Sequence, residues 1–374
     1  MNFRPDPVLF TPQEFRAQSP EEELRHLCAL AHLAPNTHNT QPWQFIVHPE
    51  ELALDICLNR ERVLPASDVI GRQAVISLGA ALEHLFIGAS HYGWQAAFIP
   101  EPVSKEAVGP IAASQSETSR FTRIGRVKFT PGAAGSPEES GLADSLLRRK
   151  VIRAEYDPAR ALPIEFVPAL TAELAKRPLT LHIVTDPVRR LMIAEFQAQA
   201  DNFVINSKRF SRELGEWLRP NDDAGPLGMR GIEFGLQDQE ALRLHRGLTG
   251  DAPLLPEDGL RFSLGGKIGL EKSPLIGLIT TPGDTIADWI TAGRALDRAL
   301  LIATRFGLAS SVHAGIVEVS LINRMFAVAL GTTERIMGLF RVGYVKNAPD
   351  AERPFSHRLE ISQVTLSATG KPTP

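Results

Sequence analysis

Several protein classes are excluded by what this chain lacks. It has two cysteines in 374 residues, Cys28 and Cys57, both in apolar surroundings and far apart. That count excludes a disulfide framework or a CxxC metal site. Two buried thiols in a reducing cytoplasm is the reading that remains. Neither charge predominates, the formal net charge being −3 at pH 7, so no basic surplus marks nucleic acid or an anionic membrane as a partner. No apolar run reaches the length of a bilayer span. The longest, 75–89, is interrupted by Glu83 and His84. The N-terminus lacks the apolar core of a signal peptide. A dinucleotide fingerprint is missing too, since Gly265-Gly266-Lys267 is neither GxGxxG nor a P-loop. The remaining composition, 43% hydrophobic and 22% charged, suits a folded cytoplasmic protein of two domains or one double-sized unit.

Residues 1–20 are polar and contain proline, as an N-terminal arm does. Apolar residues at helical spacing predict a helix over 21–33, stopped by Pro35. A loop over 36–42 leads to strands at 43–47 and 52–58. A second helix runs from 72 to 92 and closes at Gly93. The Gly-, Ala-, Ser- and Pro-rich stretch 130–140 marks a junction. It divides a first half, 21–140, from a second, 141–374. The second half carries predicted helices at 164–175, 188–207 and 285–306 and strands at 181–185, 274–280 and 336–344. Residues 219–273, broken by Pro220, Pro226, Pro253 and Pro256, read as an irregular insert of lid or binding-loop type.

The chain repeats itself. At a shift of 214 residues, Gly79-Ala80-Ala81-Leu82-Glu83 meets Gly293-Arg294-Ala295-Leu296-Asp297, and the stop Gly93 meets Gly307. A helix followed by Trp43–Pro49 likewise resembles a helix followed by Leu181–Pro187. The connections differ. The first copy carries the loop Ala34-Pro35-Asn36-Thr37-His38-Asn39-Thr40-Gln41-Pro42-Trp43, where the second passes through Arg177-Pro178. The second copy opens on Arg148-Arg149-Lys150 and Arg153, which nothing before Glu21 matches.

The loop, set between helix and strand, resembles the flavin-binding loop of the nitroreductase family. The whole chain, over about 20–360, resembles the double-length branch of that family related to the mycobacterial Acg proteins. The resemblance implies an α+β fold in which tandem nitroreductase-like repeats form an internal pseudo-dimer, with mixed β-sheets flanked by helices. It implies one FMN at the seam, with NAD(P)H as transient electron donor. Arg148, Arg149 and Arg153 would face the phosphate and ribityl chain, since arginine grips phosphate with two bonds. Pro35, Asn36, Thr37, Asn39 and Gln41 would approach the ring, the amides pairing with its pyrimidine edge. Val312, Ala314 and Gly315 would pass the reactive edge, with His313 a candidate proton donor. Ser356 and Arg358 would close on the phosphate, Arg353 or Lys346 being the reserve bases. Glu318 and Arg324 would form a structural pair. The implied activity is ping-pong transfer from NAD(P)H to a small acceptor such as a nitroaromatic or quinone. The alternative is an FMN-sequestering storage or stress protein with little turnover. A complete site within one chain allows a monomer or a weak homodimer.

Overall fold

The computed structural model describes residues 7–111, 120–132, 141–347, 350, 352 and 354–369. The chain opens on two capped helices, α1 (Pro12–Arg16) and α2 (Pro20–Ala31). Thr11 with Glu14, and Ser19 with Glu22, form capping boxes that satisfy the first amides. Part of the expected arm is therefore packed structure: Phe15 is fully buried and stacks on Tyr92 with ring centroids 3.9 Å apart.

Two sheets follow. The first holds β1 (Trp43–His48), β2 (Ala53–Asn59), β3 (Trp94–Pro100) and β4 (Phe121–Pro131). Downstream come β5 (Thr180–Val184), the two-residue pair β6 (Leu218–Arg219) and β7 (Met229–Arg230), then β8 (Leu275–Thr281), β9 (Ala309–Val312), β10 (Arg335–Gly343) and β11 (Thr365–Ser367). The first sheet has the order β11-β1-β2-β4-β3 and the second β5-β8-β10-β9. Apart from β11, every neighbouring pair in both is antiparallel. The same order and sense arise twice, with β1, β2, β3 and β4 corresponding to β5, β8, β9 and β10. The one departure is β11, which pairs parallel with β1, so the C-terminal segment completes the sheet of the first half.

The helices α3 (Arg72–His91) and α10 (Ile286–Arg305) are the two that superpose at the shift of 214. They pack face to face between the sheets. A Cβ on Gly79 would lie 2.4 Å from the Ile290 carbonyl oxygen, and one on Gly293 would lie 2.0 Å from that of Ile76. The contact is reciprocal, since Ile76 and Ile290 are themselves 214 apart. Glycine at both positions lets the backbones touch. By length and hydropathy α3 could cross a membrane, but here nearly every residue of it is buried in the core.

Between the sheets' elements run α4 (Ala143–Arg148), α5 (Phe166–Leu174), α6 (Pro187–Asn206) and α7 (Lys208–Trp217). The insert is not irregular. It holds α8 (Asp238–Thr249) and α9 (Pro256–Glu271), the latter packed on α6. Pro256 stands at the first position of α9, where a missing N–H costs nothing, while Pro220 and Pro226 lie between β6 and β7. The chain then adds α11 (Gly315–Glu318), α12 (Ser320–Leu330) and α13 (Ile361–Val364). Of the predicted junction, 133–140 lies outside the described residues.

Candidate functional site

A cleft opens where the two halves meet. Four segments converge on it: Pro35–Asn39 after α2, Arg149–Arg153 after α4, Val312–Ala314 at the end of β9, and 354–358 ahead of α13. Gln73, Ile76, Ser77 and Ala80 of α3 and Leu296 of α10 also line it.

The loop is held in an uncommon shape. His38, Asn39 and Gln41 have φ of 48°, 54° and 50°, a left-handed region that side chains other than glycine seldom occupy. Polar clips hold it there. Asn36 Oδ1 accepts from the Gln41 backbone N–H at 2.7 Å. Asn39 Nδ2 donates to the carbonyls of Gly228 and His357, each at 3.0 Å, and its Oδ1 accepts from Arg358 at 2.7 Å. Gln41 Nε2 donates to the Pro226 carbonyl at 2.7 Å, while its Oε1 accepts from Leu359 N–H at 2.9 Å. Asn39 lines the cleft, with its amide bonded within the protein. Both amides are spent on the protein, and Gln41 does not line the cleft. They fasten the loop to the insert and the C-terminal segment.

The basic cluster divides. Arg148 is exposed at the end of α4, its Nε donating to the Asp144 carbonyl, so it does not reach the cleft. The expectation for Arg148 is corrected because the chain turns extended at Arg149 and carries the following side chains inward. Lys150 and Arg153 line the cleft. The Lys150 ammonium sits 5.3 Å from the centre of the Phe355 ring, and the Arg153 guanidinium 4.4 Å from that of Phe234. Arg149 is buried, donates to the Leu33 carbonyl at 2.7 Å and stands 3.8 Å from Asp297. Burial lowers its pKa and Asp297 opposes that, while its Nε has no hydrogen-bond partner. Arg358 donates to the carbonyls of His32, Leu33 and Ala34 as well as to Asn39, so it braces the loop from beneath.

Ser356 lines the cleft but donates to Glu233 of the insert at 2.6 Å, a carboxylate where the resemblance implied only donors. Lys346 pairs with Glu155 at 3.0 Å, away from the cleft, and Arg353 lies outside the described residues. Gly315 faces a second cavity rather than this one. His313 is not a charged acid. Its Nε2 accepts from Arg341 Nε at 3.0 Å. Burial, then Arg341 and Arg153, hold its pKa well below the usual histidine range. The ring is neutral. His38, which the sequence did not single out, lines both cavities. Burial and Arg153 lower its pKa to about 4. The signals for Lys150 and His38 were their places inside the two motifs already read.

No family model matches the chain. Among proteins of known name, it is 27% identical over 347 residues to the uncharacterized protein Rv3127 of Mycobacterium tuberculosis, covering 91% of this chain and 93% of the relative. It is 24% identical over 328 residues to the M. tuberculosis protein named "Putative NAD(P)H nitroreductase acg", covering 87% and 89%. Among solved structures, the FMN-dependent nitroreductase NfnB of Mycobacterium smegmatis, in complex with NADPH, aligns with 60% of this chain and 98% of its own at 19% identity and a TM-score of 0.39. Over most of its length the chain is thus similar to acg and to other mycobacterial proteins named putative NAD(P)H nitroreductases.

Proposed function

We propose that the cleft holds one FMN and that the chain is an internal pseudo-dimer of two diverged nitroreductase-like repeats. In this reading it transfers electrons from NAD(P)H to a small acceptor by alternating occupancy of one site. The observation that carries the reading is complementary loss. The left-handed loop comes from the first half and the cationic segment from the second, and they meet in one cleft at the seam. The repeated strand order and the reciprocal Gly79 and Gly293 contacts support the pseudo-dimer. One polypeptide then supplies a whole site, so a monomer suffices.

The donor set fits a flavin phosphate. Lys150 and Arg153 bring two cations into the cleft, and Arg149 adds a buried third, its Nε 3.8 Å from Asp297. A phosphate monoester is best held by such charge-assisted donors. Ile76, Ala80, Leu296, Val312 and Leu339 give the apolar walls a planar ring needs. Bound FMN would supply the two-electron chemistry. The chain's part is to bind and orient it. Pro35 to Asn39 form a rigid wall, and Asp297 steadies Arg149.

FMN fluorescence titration of the purified chain tests this. We expect about one FMN per chain, and the double substitution Lys150→Ala with Arg153→Ala to weaken binding by about a hundredfold, two charge-assisted contacts being lost. Unchanged affinity in that variant overturns the placement. The storage reading draws on one observation: the insert is tied by Asn39 and Gln41 across the loop at Pro226 and Gly228, a fixed cover rather than a mobile lid. Stopped-flow reduction by NADH and NADPH separates the two, rapid bleaching marking an enzyme.

A further inference from the structure

The repeated four strands have two outer members in each half, β1 and β3 in the first and β5 and β9 in the second. An outer strand leaves alternate backbone N–H and C=O groups unmet unless something covers them. Three of the four are dealt with. β11 covers β1, pairing Phe45 with Thr365, Ile46 with Leu366 and Val47 with Ser367. β9 is bordered by the chain that leaves α4: Val151 bridges to Ser310, and the Ile152 N–H donates to the Ser310 carbonyl at 2.8 Å. β3 ends on Pro100, which has no N–H to offer. The fourth is β5, the counterpart of β1. It pairs with β8 on one side, and among the described residues no strand lies on the other.

The sequence around β5 carries none of the usual guards. Residues 179–185, Leu-Thr-Leu-His-Ile-Val-Thr, include no proline and no Lys, Arg, Asp or Glu, the residues that commonly keep an edge from pairing. Thr180, Ile183, Val184 and Thr185 are β-branched, as strands favour. Thr180 is exposed and Leu181, His182 and Ile183 are half-buried, whereas β8 beside them is wholly buried. The two ends of the run differ in charge. Lys176, exposed while paired with Glu173 at 2.5 Å, and Arg177 precede it, and the exposed Asp186 follows it. An antiparallel copy of the same strand sets Asp186 beside the basic end of the other copy, and does so twice. A parallel copy would set like charges together.

We propose that β5 docks on a second copy of this chain, pairing antiparallel with the same strand and joining two four-stranded sheets into one. The two-fold axis passes beside His182, so Thr180 faces Val184, Leu181 faces Ile183 and His182 faces its own copy. This register keeps Pro178, Pro187 and Asp186 outside the paired run. The outward N–H and C=O groups of the run then find partners, as those of β1 do in β11. One strand pair is smaller than a standard interface, so the association is weak and grows with concentration. No residue of β5 lines the cleft, and the pairing does not depend on the flavin reading.

Sedimentation of the full chain over about a hundredfold range of concentration tests the proposal. The average mass should climb from that of one chain towards that of two. Thr180→Lys sets a charge against Val184 of the second copy and should weaken association about tenfold, with circular dichroism and FMN titration unchanged. Mild oxidation reads the register. His182→Cys should yield a disulfide-linked dimer, because facing Cβ atoms of an antiparallel pair lie about 4.5–5.5 Å apart. Thr185→Cys, remote from its own copy in this register, should not. Cys28 and Cys57 are buried, so the unsubstituted chain should stay unlinked. The mass of one chain at every concentration, a dimer that ignores Thr180→Lys, or no excess of His182→Cys over Thr185→Cys cross-linking overturns the proposal.

Discussion

Glu83 and Asp297 occupy the same place on the two seam helices, 214 residues apart, and their surroundings have diverged. Glu83 is fully buried and gripped by Arg177 at 2.7 Å, Arg294 at 2.8 Å and Arg298. Glu173 extends the network, meeting Arg298 at 2.9 Å. Asp297 is equally buried but has His84 at 3.1 Å and Arg149 at 3.8 Å. The pairing is again reciprocal, because His84 and Arg298 are themselves counterparts. One side of the seam is filled by its own ions. The other holds an arginine that lines the cleft. At matching positions of the two helices one acid therefore acts as a plug and the other stands beside Arg149.

The largest expected effect breaks the plug. Glu83→Gln leaves three arginines around a neutral amide, and removing one partner of a buried ionic group costs about 3–5 kcal/mol. Asp297→Asn should cost less in urea unfolding, while weakening FMN binding through Arg149. Equal losses of stability with no change in FMN affinity would erase the distinction. Next comes Gly293→Ala. Its Cβ would sit 2.0 Å from the Ile76 carbonyl oxygen, so the seam must part. The cost should reach about 3 kcal/mol, the upper end for overpacking. Gly307→Ala, where a Cβ meets nothing within 4 Å but φ is +69°, should cost less and serves as the control.

Acid and base separate the plug from the second cavity, where Asp201, Glu213 and Glu318 form an acidic wall. Glu318 does not pair with Arg324, as the sequence suggested; its cationic neighbour is Arg72. Arg298, Arg177 and Arg294 outweigh desolvation and hold Glu83 down at about 2. Its contribution is complete above the ordinary carboxylate range and is lost only as pH falls towards 2. Asp201 and Glu318 run the other way. Their pKa values are raised in the folded chain, so the unfolded chain binds fewer protons from the carboxylate range up to about 7 or 8. Stability therefore falls as pH rises through that window. Urea midpoints measured from pH 5 to 8 should decline steadily as pH rises. Asp201→Asn with Glu318→Gln should flatten the decline. A wild-type midpoint flat from pH 5 to 8 would show the wall to be better paired than its geometry indicates.

Period and punctuation made much of this legible. The helices over 72–91 and 286–305 announced themselves by apolar spacing and a terminal glycine, and their small-residue matches proved to be the residues that touch. The strands β3 and β4 were missed, since Gln95 and the run Thr122 to Lys128 mix polar and apolar residues on a half-exposed edge. The insert looked irregular because its four prolines and many glycines masked helices of 12 and 16 residues. Its place over the loop was invisible, for the contacts that fix it run from side-chain amides to distant carbonyls. The site residues were legible as segments rather than as roles. Sequence order brought Arg148 to Arg153 forward as a block, but only the extended turn at Arg149 decides that Lys150 points in and Arg148 out. No periodicity reveals where an amide's hydrogens go.

The smallest expected effect sharpens the contrast between the half that keeps the loop and the half that goes through Arg177-Pro178. If Asn39 touched the cofactor edge, Asn39→Ala would shift the FMN spectrum and leave melting unchanged. Its geometry argues the reverse. Three carbonyls and Arg358 share its amide, and its own φ of 54° is tolerated best by asparagine and glycine. Truncation strands the Arg358 N–H that Asn39 Oδ1 accepts and relaxes a left-handed turn, at about 1–2 kcal/mol. The melting temperature should drop while the absorbance maximum of bound FMN stays in place. Asn39→Gly, which restores the backbone but not the amide, should recover part of the loss. Full recovery would make the turn's conformation, not its hydrogen bonds, the reason asparagine stands there.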